Sequence, residues 1–231
     1  MNVLITSGGT TEKIDNVRKI TNMSTGKLGS IIADEFLNNA AIKKVFYICS
    51  KTATIPSLYN SPKLNIIHAD SVTDLESAVR QTLSQATVDI IIHSMAVSDY
   101  RVKSVTTVSA LPENSLPNDK PSGKISSDID DMVLLMERTP KVIPLFHELS
   151  PKSVLVGFKL LVDSDLNTLI DKGFEVLEKN HCTFVLANDL NDIVNDKHIG
   201  YLIDQKKQFA TYTSKSEIAT AIVSSTLDKL S

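Results

Sequence analysis

The chain has 231 residues, 42% of them hydrophobic, and a formal net charge of −3. That length allows a sizeable core in a single domain spanning 1–231. Lys and Arg are spread without a basic tract, so nothing points to nucleic acid, and the longest apolar runs fall short of the ~20 residues a membrane span needs.

Short β-branched runs alternate with amphipathic stretches. Met1–Thr6 reads as a strand, Gly29–Asn38 as a helix, and Val45–Cys49 and Leu64–His68 as further strands. No signal-peptide pattern precedes the first strand, and cytoplasmic placement is expected. Asp70-Ser71 offers an N-cap to a helix over Val72–Ser84, and Val88–His93 is a continuous apolar strand of the parallel-sheet type. From Ser94 to Ser127 the pattern breaks, which predicts a long active-site loop. Asp128–Met136 then reads as a helix, and Lys141–Glu148 as a short helical or irregular stretch. Ser153–Phe158 and Thr183–Ala187 read as strands flanking a helix over Ser164–Lys179. Ile199–Ile203 and Gln208–Tyr212 read as an antiparallel hairpin, and Ser214 caps a last helix. This order predicts an α/β, Rossmann-like, mostly parallel sheet with helices on both faces and a C-terminal hairpin over 199–212. The two cysteines, Cys49 and Cys182, lie in or beside apolar runs and read as buried free thiols in a reducing cytoplasm.

In such sheets ligands bind beyond the carboxyl ends of the strands. The stretch Thr6–Gly29 therefore stands out. It starts with Gly8-Gly9 after the first strand and reaches the first helix only after roughly twenty residues, against a usual connection of about 4–6. Small residues followed by a helix N-terminus suit an anion. A dinucleotide fingerprint would need G-x-G-x-x-G running straight into the helix, with an acid ending the second strand. Here the glycines are adjacent, the helix is delayed and the second strand ends in Ser50-Lys51, so NAD is disfavoured while Lys51 leaves a phosphorylated dinucleotide open. No P-loop or G-x-S-x-G elbow is present. The histidines show no metal-ligand spacing, and His93 reads as structural. What remains is a polar group containing Arg18, Asn22, Asp99 and Lys124, suited to phosphates and a cation. Asp99 by itself reads equally as a metal or sugar ligand and as a loop cap.

The blocks Ile5–Thr10, Val17–Gly29, Ala96–Arg101, Gly157-Phe158 and Ala187-Asn188-Asp189 closely resemble the phosphopantothenoylcysteine synthetases (phosphopantothenate–cysteine ligases) of coenzyme A biosynthesis. Because the chain begins at the synthetase's first strand, it is similar to a stand-alone bacterial form. The resemblance implies that a nucleoside triphosphate, CTP in most bacterial members and ATP in eukaryotic ones, activates the carboxylate of 4′-phosphopantothenate, after which cysteine attacks. It further implies Mg²⁺ and a homodimer, with the hairpin over 199–212 as a contributor to the pairing.

Among single residues, the resemblance implies Asn22 for the acyl intermediate, with Arg18 from the same block. Gly8, Gly9, Ser24 and Gly26 would form the phosphate cradle. Met95 would contact the base through its backbone, Asp99 the ribose and metal, and Phe158 the nucleotide. Lys124, with Lys120 as the alternative, stands for the family's loop lysine. Lys179 matches the second of a lysine pair whose first position is Glu175 here, which leaves CTP against ATP open. Alternatives of other classes are an NADP-dependent oxidoreductase and a non-catalytic nucleotide-binding module.

Overall fold

Val3, Leu4 and Ile5 are fully buried, as an uninterrupted apolar run must be when both faces of its sheet are covered. The computed structural model describes residues 1–111, 123–194 and 197–230; Lys120 and the middle of the expected 94–127 loop lie outside them. The first strand, β1 (Asn2–Ser7), is followed by two three-residue strands, β2 (Thr11–Lys13) and β3 (Lys19–Thr21), and then by α1 (Lys27–Asn38). Next come β4 (Lys44–Cys49), β5 (Leu64–His68), α2 (Val72–Gln85) and β6 (Ile90–His93). A second pair of strands, β7 (Tyr100–Thr107) and β8 (Met132–Arg138), precedes α3 (Ile143–Leu149). The chain continues through β9 (Val154–Leu161), α4 (Leu166–Lys179), β10 (Phe184–Asp189) and the short β11 (Ile193–Val194). It finishes with β12 (Lys197–Asp204), β13 (Phe209–Ser214) and α5 (Lys215–Asp228).

The main sheet runs β5-β4-β1-β6-β9-β10-β12, with β11 and β13 both paired to β12. Strands β5 to β10 of that order are parallel, and β12 and β13 are antiparallel. Successive side chains of a strand face opposite sides, and the cores follow that rule. Val3, Ile5, Tyr47, Ile90 and Ile92 pack with Phe36 of α1 and Ile218 of α5. Leu4, Ile48, Ile91 and Val185 pack with Leu75 of α2, Phe146 of α3 and Leu177 of α4. The expected Rossmann-like architecture and the C-terminal hairpin are both present. Among the described residues no helix is long and apolar enough to cross a membrane. Cys49 and Cys182 are free and buried.

Chain order and sheet order reverse between β1 and β6, which is the topological switch point of such a sheet. Both strands there lead into antiparallel excursions instead of tight turns. β2 pairs with β3, and β7 pairs with β8 through a register shift between Val102 and Ser104. Two expectations are corrected here. Tyr100–Thr107 is a strand, not the start of a patternless loop, as its β-branched residues permit. Asp128–Met136 is not a helix: Ser126 and Asp128 form a local side-chain turn, and Met132–Arg138 pairs with β7. Leu and Met are good helix formers, but propensity amounts to only tenths of a kcal/mol per residue, and ladder formation, joined by the Arg101–Glu137 ion pair at 2.6 Å, overrides it.

Helix α1 starts two residues earlier than the sequence predicts, with Gly26 at the cap position in the left-handed region (φ 74°), where a side chain is strained. Its first turn lies directly against the end of β1. A methyl group on Gly29 would stand 2.3 Å from Ser7 Oγ and 2.8 Å from Ser94 Oγ. Neither hydroxyl can retreat without loss, because Ser7 Oγ donates to Gly26 O at 3.1 Å and Ser94 Oγ to Thr6 O at 2.7 Å. We therefore expect Gly29→Ala to lower unfolding free energy by about 1–3 kcal/mol in urea titrations. Gly123→Ala, whose added carbon meets nothing within 4 Å, should change it by less than about 0.5 kcal/mol.

Candidate active site

The two excursions are stitched together beyond the sheet. Gly9 bridges to Ala96, and Ala96 N donates to Gly8 O at 2.8 Å. Ala96 O then accepts from Thr10 N at 3.0 Å and from Asn22 Nδ2 at 2.9 Å. Thr10 Oγ1 accepts from Ser98 N at 2.8 Å and lies 2.9 Å from Ser98 Oγ. On the second excursion Thr139 Oγ1 donates to Ser98 O. Glu12 of β2, itself buried, accepts from Val72 N at 2.9 Å, which docks the first hairpin on the N-terminus of α2.

This network collects most of the sequence candidates at the switch point. Gly8 and Gly9 continue β1. Gly26 caps α1 without offering a side-chain acceptor, so the first turn of the helix faces the cradle with amides suited to an outside anion. Ser24 is exposed two residues ahead of the cap and does not cap the helix. Asn22 is half-buried. One of its two amide hydrogens is committed to Ala96 O, and the second remains for a ligand oxygen. Met95 buries its side chain in the α2–α3 core and leaves only backbone at the site. Phe158 is half-buried against the α1–α5 core on β9, two residues beyond the Val156–Ile92 pair. Lys124 is exposed next to the buried Ile125.

Asp99 is exposed and ion-paired with Lys141, a residue given no role in the sequence. Among the described residues no three His, Cys, Asp or Glu side chains converge as a metal cage. A single exposed carboxylate fits an ion held mainly by phosphates and water. Lys51 is paired too, with its Nζ 3.5 Å from Asp70 Oδ2.

Lys179 is not brought to this group. It ends α4, which runs from the carboxyl end of β9 back to the amino end of β10, so it lies at the opposite edge of the sheet. At that edge a cavity of about 630 Å³ is lined by His147, Lys152, Glu178, His181 and Lys229. Its two imidazole rings stand 4.4 Å apart, and they form neither an anion cradle nor a nucleophile–base pair.

Asn188, at the carboxyl end of β10 and within the Ala-Asn-Asp run legible in the sequence, is only 7% exposed. Among the buried polar residues that the sequence did not single out is Asp15. Asp15 lies between β2 and β3 with its side chain fully buried. Burial works against its charge, yet the amides of Val17, Ile125 and Arg18 and the Arg18 guanidinium outweigh that and hold the carboxyl below its usual range.

His93 is structural. It is paired across the sheet with Thr6, its Nδ1 lies 2.7 Å from Thr6 Oγ1, and its ring lies 4.9 Å from that of Phe146. Burial pushes its pKa from 6.5 down to about 4. His198, with neither ring nitrogen partnered, is likewise lowered to about 4 by burial and then by Lys215.

A scaffold of this kind, with parallel strands, a glycine pair at the switch point and two antiparallel excursions joined beyond it, defines an open α/β protein. The sequence signature of the DNA/pantothenate metabolism flavoprotein C-terminal domain matches residues 1–229, and the chain belongs to that family. It is 31% identical over 223 residues to the coenzyme A biosynthesis bifunctional protein CoaBC of Methanocaldococcus jannaschii, covering 96% of this chain and 49% of that protein. The chain thus spans about half the length of this curated relative. The crystal structure of the DNA/pantothenate metabolism flavoprotein from Streptococcus pneumoniae superposes with a TM-score of 0.87 at 38% identity over 97% of each chain. A Cab2 variant in complex with phosphopantothenate-cysteine shares the fold, with a TM-score of 0.76 at 20% identity over 99% of this chain and 86% of that one.

The buried imidazoles set a pH dependence. Between about 4 and 6.5 the unfolded chain binds protons that the folded chain refuses, so their stabilisation is complete above 6.5 and is lost as pH falls towards 4. Urea unfolding at pH 7.5 and 4.5 should show a drop to which His93 contributes up to about 3 kcal/mol, and His93→Gln should flatten it.

Proposed function

We propose that this chain is a phosphopantothenate–cysteine ligase using CTP, with ATP as the alternative nucleotide in the same reaction. The observation that carries the reading is the placement of Asn22 on Ala96 O, beside Gly8 and Gly9, by a hairpin that interrupts the usual strand-to-helix turn. That interruption also speaks against a dinucleotide enzyme, whose pyrophosphate needs the tight turn.

A carboxylate is a poor electrophile and repels a nucleotide's phosphates. The site answers with cations and amides. Arg18, Lys124 and the first turn of α1 offset the negative charge. A carboxylate oxygen of phosphopantothenate attacks the α-phosphorus, pyrophosphate leaves, and an acyl-nucleotidyl anhydride forms. The cysteine amine then attacks the acyl carbon and expels the nucleoside monophosphate. Asn22 donates its free amide hydrogen to the acyl oxygen as charge builds there. The glycine cradle with Ser24 takes phosphates, Phe158 flanks the nucleotide and Asp99 takes the ribose. Bound Mg²⁺ would neutralise phosphate charge, with Asp99 released from Lys141 as its one protein carboxylate. Lys179 cannot join the cradle of its own chain. A cytoplasmic homodimer, with the β12–β13 hairpin contributing to the contact, completes the reading.

Turnover of 4′-phosphopantothenate, L-cysteine and Mg²⁺ with CTP and with ATP tests it directly. We expect cysteine-dependent release of CMP and pyrophosphate; silence with both nucleotides, or tight NADPH binding in their place, would reject the ligase. Asn22→Ala should cost on the order of 10²-fold in turnover with nucleotide binding retained, and wild-type turnover in that variant would remove the assigned role.

A further inference from the structure

Asp15 uses its two carboxylate oxygens differently. Oδ1 accepts from Val17 N at 2.7 Å and Arg18 N at 2.6 Å, closing the tip of the first hairpin. Oδ2 accepts from Arg18 Nη1 at 3.1 Å and from Ile125 N, across 110 residues of chain, at 3.1 Å. Arg18 Nη1 also donates to Ile125 O at 3.3 Å. Both backbone groups of Ile125 are therefore held by the hairpin tip. Ile125 is 8% exposed, whereas its neighbours Lys124 and Ser126 are exposed.

A turn residue needs only the Oδ1 bonds. The Oδ2 bonds serve something else. A carboxylate withdrawn from water is tolerated only when its oxygens are satisfied, so the buried charge forces the hairpin tip and the segment 123–127 to stay together. Arg18 and Lys124, the two cations given to the anionic substrates, are thereby tied through one group.

We propose that Asp15 is a positioning residue of the ligase: its Oδ2 couples the Arg18 guanidinium to the Lys124–Ile125 segment, so that both cations meet the substrates in one fixed relation. This inference rests on the ligase reading for its catalytic consequence and on geometry alone for the coupling.

Asp15→Asn separates the two jobs. Asn keeps an Oδ1 to close the turn, but its amide nitrogen cannot accept from Ile125 N or Arg18. In amide hydrogen exchange followed by NMR, we expect the Ile125 amide to exchange at least about 10-fold faster in this variant, while Val17 and Arg18 stay protected. Turnover should fall by about 10- to 100-fold, as misplacement of a charge-bearing group does. Lys124→Gln, costly in the wild-type chain, should add little on the Asp15→Asn background, whereas Ser24→Ala should keep its full effect on both. Unchanged protection at Ile125, or effects of Asp15→Asn and Lys124→Gln that simply multiply, would overturn the proposal. If Asp15→Asn does not fold, Ile125→Pro removes the donor from the other side and must give the same non-additivity with Lys124→Gln. A wild-type chain without turnover rejects the ligase reading only; protection at Ile125 then decides the coupling by itself.

Discussion

Past the carboxyl ends of β1 and β6 the backbone could separate to the two faces of the sheet, and in this chain it does not. The carbonyl of Ala96 accepts from Thr10 N and Asn22 Nδ2, and the Gly9–Ala96 bridge continues the parallel pairing for one more step. A half-buried carbonyl with two donors fixes the relative position of two loops that share no helix or strand of the main sheet. The cradle and the placement of Asn22 depend on that junction. Gly9 permits it, since a side chain there would stand 2.7 Å from the Asn22 carbonyl.

The same constraint explains why two hairpins occupy the places of two tight turns. A Rossmann-type switch point offers a crevice, but a crevice alone supplies only backbone amides and a helix end. Each hairpin raises polar side chains above it: Arg18 and Asn22 from the first, and Asp99 from the entry to the second. The hairpins are small and cannot bury much apolar surface of their own. Their order comes from polar ties, with Glu12 on the N-terminus of α2, Thr10 on Ser98 and Asp15 on Ile125. Buried hydrogen bonds of this kind contribute modestly when made and cost more when one partner is lost.

The electrostatics divide along the same line. Below the junction, His93 is buried beside Phe146 and stays neutral at pH 7. Above it, charges are kept and compensated, as Asp15 is by Arg18 and three amides. On the proposed reading, a site for polyanions needs its cations oriented before the ligand arrives, because orientation after binding would cost part of the interaction. The family relationship, which covers residues 1–229, is consistent with this division of a rigid apolar base and a polar crown.

By itself the sequence determined the α/β order, the buried parallel strands, the C-terminal hairpin and the long connection between the first strand and the first helix. These depend on apolar periodicity and on glycine spacing, which act over a few residues. Gly8-Gly9 and Asn22 stood out because they follow a strand end or belong to a specific local motif, whereas Phe158, expected at a strand end, lies inside β9. Only the tertiary structure decided that Met132–Arg138 is a strand, since its partner lies in β7 and not in its own turn. It likewise placed Lys179 at the far edge, paired Asp99 with Lys141 and showed Asp15 holding Ile125. Thr10 and Ser98 are 88 residues apart in sequence, and Asp15 and Ile125 are 110. No local pattern encodes such contacts; they exist because the sheet order returns β6 to the side of β1.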